Sequence, residues 1–213
     1  MKNLKTNIGI INCDFGNIAS LINAIKHLQF NYEVLKKPSD LKLISHLILP
    51  GVGSFNESAK RIRETGWSKA IIDHTSNNKP FLGICLGMQL MFETGSENGE
   101  EMGIGLFKGR CEKFSDKIEI KLPHIGFNLV NHPNSRIWRD IPNNSPFYFV
   151  HSYRIIDDKK NYDNGKNISN TYYGESFISF VENKNTFGAQ FHPEKSHKTG
   201  LKLIKNFGEI HKL

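Results

Sequence analysis

Short apolar runs alternate with longer stretches of helical period through the first two-fifths of the chain. Asn7 to Asn12, Tyr32 to Leu35, His46 to Leu49 and Phe81 to Ile84 each read as a strand, and the last two are almost wholly apolar. Between the first two, Ile18, Leu21, Ile22, Ile25 and Leu28 line one face of a helix, with Asn17 as its cap. Ser39 caps a short helical piece, and polar helical sequence follows Phe55 to about His74. Apolar strands separated by helices predict a parallel sheet covered on both faces. From Gly95 the texture changes. Gly, Asn and Ser increase, and the strand signals become short and hairpin-like: Glu119 to Leu122, Gly126 to Val130, Phe147 to Val150, Tyr153 to Ile156 and Phe177 to Val181. Lys159 to Asn170 is polar and reads as a loop. Thr186 to Phe191 is a further strand, and Thr199 caps a closing helix that carries Leu201, Leu203, Ile204, Phe207 and Ile210. The predicted fold class is α/β: a mixed, mostly parallel central sheet flanked by helices, with an antiparallel, strand-rich second half. Residues 1–213 are expected to form a single domain.

The stretch from Lys79 to Phe92 joins a strand to a helix. Leu86, Leu90 and Met91 recur at helical spacing after Cys85, which Gly83 and Gly87 flank. Small neighbours permit a sharp turn that pushes one side chain out of the backbone, as in a nucleophile elbow. A thiol at a helix start feels the positive end of the dipole, and the first helical N–H groups have no partner inside the helix. Cys85 is thus a candidate nucleophile, and the Leu86 N–H a candidate oxyanion donor. A buried cysteine at a tight turn is the bland alternative.

Composition narrows the classes. The 38% hydrophobic and 23% charged content suits a soluble globular protein. No apolar run approaches the ~20 residues of a membrane helix, and the start has no signal-peptide core. Cys13, Cys85 and Cys111 are an odd number at irregular spacing, so a disulfide framework is not expected and a cytoplasmic setting is. The net charge of +7 comes from scattered lysines without a dense stripe, which disfavours nucleic acid and leaves an acidic protein partner open.

Two further stretches carry chemistry. In Gln190-Phe191-His192-Pro193-Glu194-Lys195, a histidine beyond a strand end has a carboxylate two residues on. His192 would act as general base and Glu194 would fix its tautomer. An ordinary ion pair on a solvated turn is the alternative. Gly51-Val52-Gly53 lets backbone N–H groups approach a substrate, as a second half of an oxyanion hole, or is a simple turn. A metal site on His192, Glu194 and His197 lacks a strong ligand spacing, and neither metal nor cofactor is expected.

Five ordered motifs carry a resemblance across nearly the whole chain: Pro50-Gly51-Val52-Gly53-Ser54-Phe55, Gly83-Ile84-Cys85-Leu86-Gly87-Met88-Gln89, Pro123-His124-Ile125-Gly126-Phe127-Asn128, Phe149-Val150-His151-Ser152-Tyr153 and Gln190 to Ser196. The sequence resembles the class I glutamine amidotransferases, which are flavodoxin-like. Within them it is similar to the branch of glutaminase subunits of imidazole glycerol phosphate synthase. The resemblance implies that Cys85, His192 and Glu194 hydrolyse L-glutamine through a γ-glutamyl thioester. It implies that Gln89, Ser152 and Tyr153 hold the amino-acid end, and that the Gly51–Gly53 loop completes the oxyanion hole. It also implies a heterodimer with a (β/α)8-barrel synthase (cyclase) subunit that receives the ammonia. Two departures stand out: Asp14-Phe15-Gly16-Asn17 is two residues shorter than the family's loop, and Phe127 replaces a tryptophan. The Lys195 to Lys198 continuation is similar to paralogues that feed sugar-amidating enzymes. A stand-alone γ-glutamyl hydrolase and a catalytically silent binding subunit are the competing classes.

Overall fold

The computed structural model describes residues 6–12, 18–116, 119–156 and 167–210. Its first half alternates Asn7–Ile11 (β1), Ala19–His27 (α1), Asn31–Leu35 (β2), His46–Leu49 (β3), Phe55–Glu64 (α2), Trp67–Ser76 (α3), Phe81–Ile84 (β4) and Leu86–Gln89 (α4). The second half is strand-rich: Phe92–Gly95 (β5), Glu101–Met102 (β6), Phe107–Lys113 (β7), His124–Val130 (β8), Ser145–His151 (β9), Tyr153–Ile156 (β10), Asn167–Tyr173 (β11), Glu175–Asn183 (β12) and Thr186–Ala189 (β13). His197–Gly208 (α5) closes the described chain.

The main sheet runs β2-β1-β3-β4-β13-β12-β10-β7-β5-β6, with β11 added beside β12. The five strands from β2 to β13 are mutually parallel. Beyond β13 the pairings are antiparallel except β5 with β7. Strands β8 and β9 form a separate hairpin sheet. Every residue of β3 and β4 is buried because both faces are covered. On one face Leu21, Ala24 and Ile25 of α1 and Leu203, Ile204 and Phe207 of α5 join Ile10, Ile48 and Ile84. On the other, Phe55, Ala59 and Ile62 of α2 and Trp67 and Ile71 of α3 meet Leu47, Leu49 and Phe81.

Several boundaries differ from the sequence reading. The helix after Cys85 stops after one turn, because the Leu90 and Met91 carbonyls accept from Ile104, Leu106 and Phe107 instead of continuing it. Phe92–Gly95 then enters the sheet. The long helix to His74 is two helices, broken at Gly66, whose φ is 79°. Lys37, not Ser39, precedes the 3-10 turn Pro38–Leu43, and the Asp40 carboxylate accepts the Lys36 and Lys37 N–H groups. Residues 119–122 form no strand; there the Tyr173 hydroxyl donates to the Lys121 carbonyl. Strand β11 takes up the end of the expected 159–170 loop. Thr199 lies inside α5, whose N-cap is Ser196. The Asp14–Asn17 loop and the Asn17 cap lie outside the described residues.

Candidate active site

Strands β3, β4 and β13 are neighbours and parallel, so their carboxyl ends emerge side by side. Each end carries one of the predicted stretches: Gly51 follows β3, Cys85 follows β4 and His192 follows β13. This is where an open α/β sheet offers its ligand crevice.

Cys85 holds φ 53° and ψ −111°, a conformation that side-chain-bearing residues rarely adopt. Its N–H donates to the Ala189 carbonyl at 2.7 Å and its carbonyl accepts from Gln89 at 3.1 Å, which hold the turn from both sides. Gly87 makes that turn possible. A Cβ there would lie 1.9 Å from the Leu49 carbonyl oxygen. The helix start is thus pressed against β3, and Gly51 against it in turn, where a Cβ would stand 3.0 Å from that of Leu86. The predicted halves of an oxyanion hole, the Gly51–Gly53 loop and Leu86, are therefore adjacent. Val52 is exposed, and Gly53 is open to solvent at φ 118°. Gly51 and Val52 share a small cleft with His192 and Glu194.

His192 Nδ1 lies 2.7 Å from Glu194 Oε1, both side chains being buried. The backbone of His192 is also anchored: its N–H donates to the Tyr148 carbonyl at 2.8 Å, and its carbonyl accepts from Ser196 Oγ at 2.6 Å. Ser196 Oγ accepts in turn from the Tyr148 N–H at 2.9 Å. Burial is the largest influence on the ring and opposes its charge. Cys85, by charge and polar contact, and then Glu194 outweigh it, and the imidazole is pushed up to about 10. Nε2 is buried, within electrostatic reach of the sulfur but outside hydrogen-bond geometry with any described residue.

Of the residues expected to hold an amino acid, Gln89 is linked to the sulfur through Gln190. Gln89 Nε2 donates to the Tyr153 carbonyl and to Gln190 Oε1, each at 3.0 Å, so its nitrogen is fully engaged and its oxygen is the atom left for a ligand. The Ser152 carbonyl accepts from the Phe114 N–H, and the Tyr153 phenol is pushed up by burial and then by Glu97. Three further groups lie here to which the sequence reading gives no role. Glu97 accepts from the Phe55 N–H at 2.7 Å and sends its field toward Tyr153 and Cys111. His151 Nδ1 lies 2.7 Å from the Tyr153 carbonyl. Gln190 Nε2 lies 3.8 Å from Cys85 Sγ. A signal for Gln190 existed: it lies two residues before His192 at the end of the predicted strand, and residues two apart in a strand share a side.

Residues 10–210 match the family model described as Glutamine amidotransferase class-I. A relative from Desulfitobacterium hafniense, named imidazole glycerol phosphate synthase subunit HisH, is 41% identical over 95% of this chain and 93% of its own. The chloroplastic imidazole glycerol phosphate synthase hisHF of Arabidopsis thaliana is 40% identical over 90% of this chain but only 32% of its own length. The solved structure of PurLQS from Thermotoga maritima shares the fold, with a TM-score of 0.73 at 18% identity, over 95% of this chain and 97% of that one. The elbow, the paired imidazole and carboxylate at neighbouring strand ends, and a family match over almost the whole chain lead to one conclusion: this chain belongs to the class-I glutamine amidotransferases.

Proposed function

We propose that the chain is the glutaminase subunit of an imidazole glycerol phosphate synthase, acting in the cytoplasm. The observation that carries this is the meeting of Cys85, on its strained elbow, with the buried His192–Glu194 pair at the ends of two adjoining parallel strands. The names of the relatives favour this assignment over a sugar-amidating system or a stand-alone γ-glutamyl hydrolase.

Cys85 Sγ attacks the side-chain carbonyl carbon of glutamine. His192 takes up the thiol proton, and Glu194 orients the ring through Nδ1 and supports its charge. The carbonyl oxygen becomes an oxyanion held by the Leu86 N–H and an N–H of the Gly51–Gly53 loop. His192 then protonates the amide nitrogen, the carbon–nitrogen bond breaks, and ammonia leaves a γ-glutamyl thioester. Water, deprotonated by His192, attacks the thioester, and the carbon–sulfur bond breaks to give glutamate. Glu97 is the anion that complements the α-ammonium of the substrate; Gln89 Oε1, Ser152 and Tyr153 complete the cradle. Ammonia passes to a (β/α)8-barrel cyclase subunit in a heterodimer. Docking falls on β8, where Ile125, Phe127 and Leu129 are each about half exposed on one side of the strand. In the Arabidopsis relative, the aligned region is one third of a single longer synthase chain, which supports a persistent association.

Cys85→Ala is expected to abolish glutamate release while leaving ammonia-dependent synthesis by the complex intact. Wild-type glutaminase activity is expected to rise at least tenfold when the barrel subunit and its acceptor substrate are added, since one misdirected oxyanion donor is worth roughly 10²–10³ in kcat. Cys85→Ala activity within tenfold of wild type would sink the nucleophile. A rise of less than about fivefold on adding the partner would favour a stand-alone hydrolase.

A further inference from the structure

We propose that Gln190 is a catalytic residue: its side-chain N–H donates to the sulfur of Cys85 and selects the deprotonated, nucleophilic form. The inference rests on the reading of Cys85 as nucleophile.

Donor and acceptor accounting fixes the amide. The Tyr153 carbonyl can only accept, and it already receives His151 Nδ1 at 2.7 Å. The Gln89 atom 3.0 Å from that carbonyl must therefore be nitrogen. The same nitrogen lies 3.0 Å from the amide of Gln190, so the Gln190 atom facing it must be oxygen. Nε2 of Gln190 is then left pointing at Sγ, 3.8 Å away. Gln190 is fully buried, and its backbone N–H is tied to the Ser179 carbonyl, so the amide has little freedom to turn.

The second neighbour of the sulfur prefers the opposite state. The Val150 carbonyl lies 3.9 Å from Sγ and can receive a thiol proton but offers nothing to an anion. A thiol is served by Val150 and an anion by Gln190. A hydrogen bond to an ionised atom is roughly twice as strong as one between neutral groups, so the Gln190 contact gains as the proton leaves. A neutral donor also persists when His192 has given its proton to the leaving nitrogen. It therefore assists expulsion of the sulfur from the thioester as well as its first attack.

The test is the rate of Cys85 alkylation by iodoacetamide in the full chain, followed by peptide mass from about pH 5 to about pH 10, for wild type and Gln190→Leu. Loss of the donor is expected to move the inflection about one pH unit upward, and the less stabilised anion is expected to react about threefold faster at its plateau, so the two profiles cross. Gln190→Glu keeps an acceptor for Gln89 but turns a carboxylate oxygen toward the sulfur, and is expected to move the inflection further in the same direction. Superimposed profiles overturn the proposal. A measurement on the wild type guards against variants that do not fold: the side-chain amide resonance of Gln190 is expected to shift with the same inflection as the alkylation, and a stationary resonance overturns the proposal. A wild-type Cys85 labelled no faster than Cys13 and Cys111 overturns the nucleophile and this inference together. A reactive Cys85 with an unchanged Gln190→Leu profile removes the role of Gln190 alone.

Discussion

Gly87→Ala separates two opposed effects at the elbow. Gly87 lies in a helical turn at an ordinary φ, so alanine by itself would favour the helix by about 0.5–1 kcal/mol. Against this stands the Leu49 carbonyl oxygen, 1.9 Å from where the new Cβ must sit. Real contacts of this kind are not found below 3.0 Å, so α4 and β3 must part by about 1.1 Å, backbone from backbone. Overpacking of that sort costs about 1–3 kcal/mol, and here no flexible side-chain end is available to move. The steric effect wins. For a chain of this size, a net loss of about 1 kcal/mol lowers Tm by roughly 2–4 °C. Activity is expected to suffer more, because the same displacement carries Cys85 and Leu86 away from the Gly51 loop. A misplacement of about 1 Å can cost on the order of 10²-fold in rate. Thermal unfolding and steady-state glutaminase kinetics of the complex measure both. A Gly87→Ala protein with wild-type Tm and kcat would refute the packing argument.

His192→Ala is expected to lower kcat by several orders of magnitude and Glu194→Ala by less. The double variant should be little worse than His192→Ala, and multiplicative losses would show that the two act independently. Stability should fall in acid: burial, the largest influence, holds His151 down to about 3, so between pH 6.5 and 3 the unfolded chain takes a proton that the folded one refuses. At pH 5 this amounts to about 2 kcal/mol for His151. In His151→Asn, which keeps a donor for Tyr153, stability from urea titrations at about pH 8 and about pH 5 should differ by about 2 kcal/mol less than in wild type. Phe127→Asp should weaken binding of the barrel subunit at least tenfold in calorimetry while leaving the Tm of the isolated chain nearly unchanged, because that ring is half exposed.

Legibility followed burial. Strands β3 and β4 are readable because the sheet covers both their faces and the whole run is apolar. Strand β7 alternates buried Phe107 and Cys111 with outward polar residues, but Gly109 interrupts the pattern and hides it. Strand β11 is Asn-Ile-Ser-Asn-Thr-Tyr-Tyr, a polar string whose pairing with β12 makes it a strand. The turn at Cys85 is local chemistry and shows in Gly83 and Gly87. The end of its helix is set by carbonyls reaching residues 104–107, which no local pattern reveals. The His192–Glu194 contact spans two residues and was foreseeable. The path from Tyr153 through Gln89 and Gln190 to the sulfur joins three distant segments, and only the assembled sheet brings them together.

Strand β13 lies between β4 and β12 in space but follows both in the chain. On the ribosome, β2, β1, β3 and β4 can pair while β13 has yet to be made. Cys85 precedes His192 by 107 positions, an interval of roughly 5–20 s at ordinary rates of synthesis. During that time Cys85 lacks His192 beside it, and the edge of β4 that will receive β13 stands open for pairing. On the mechanism proposed above, a chain that ends before β13 lacks His192 and is expected to leave glutamine intact. Closing the sheet and bringing His192 to the sulfur are the same folding step.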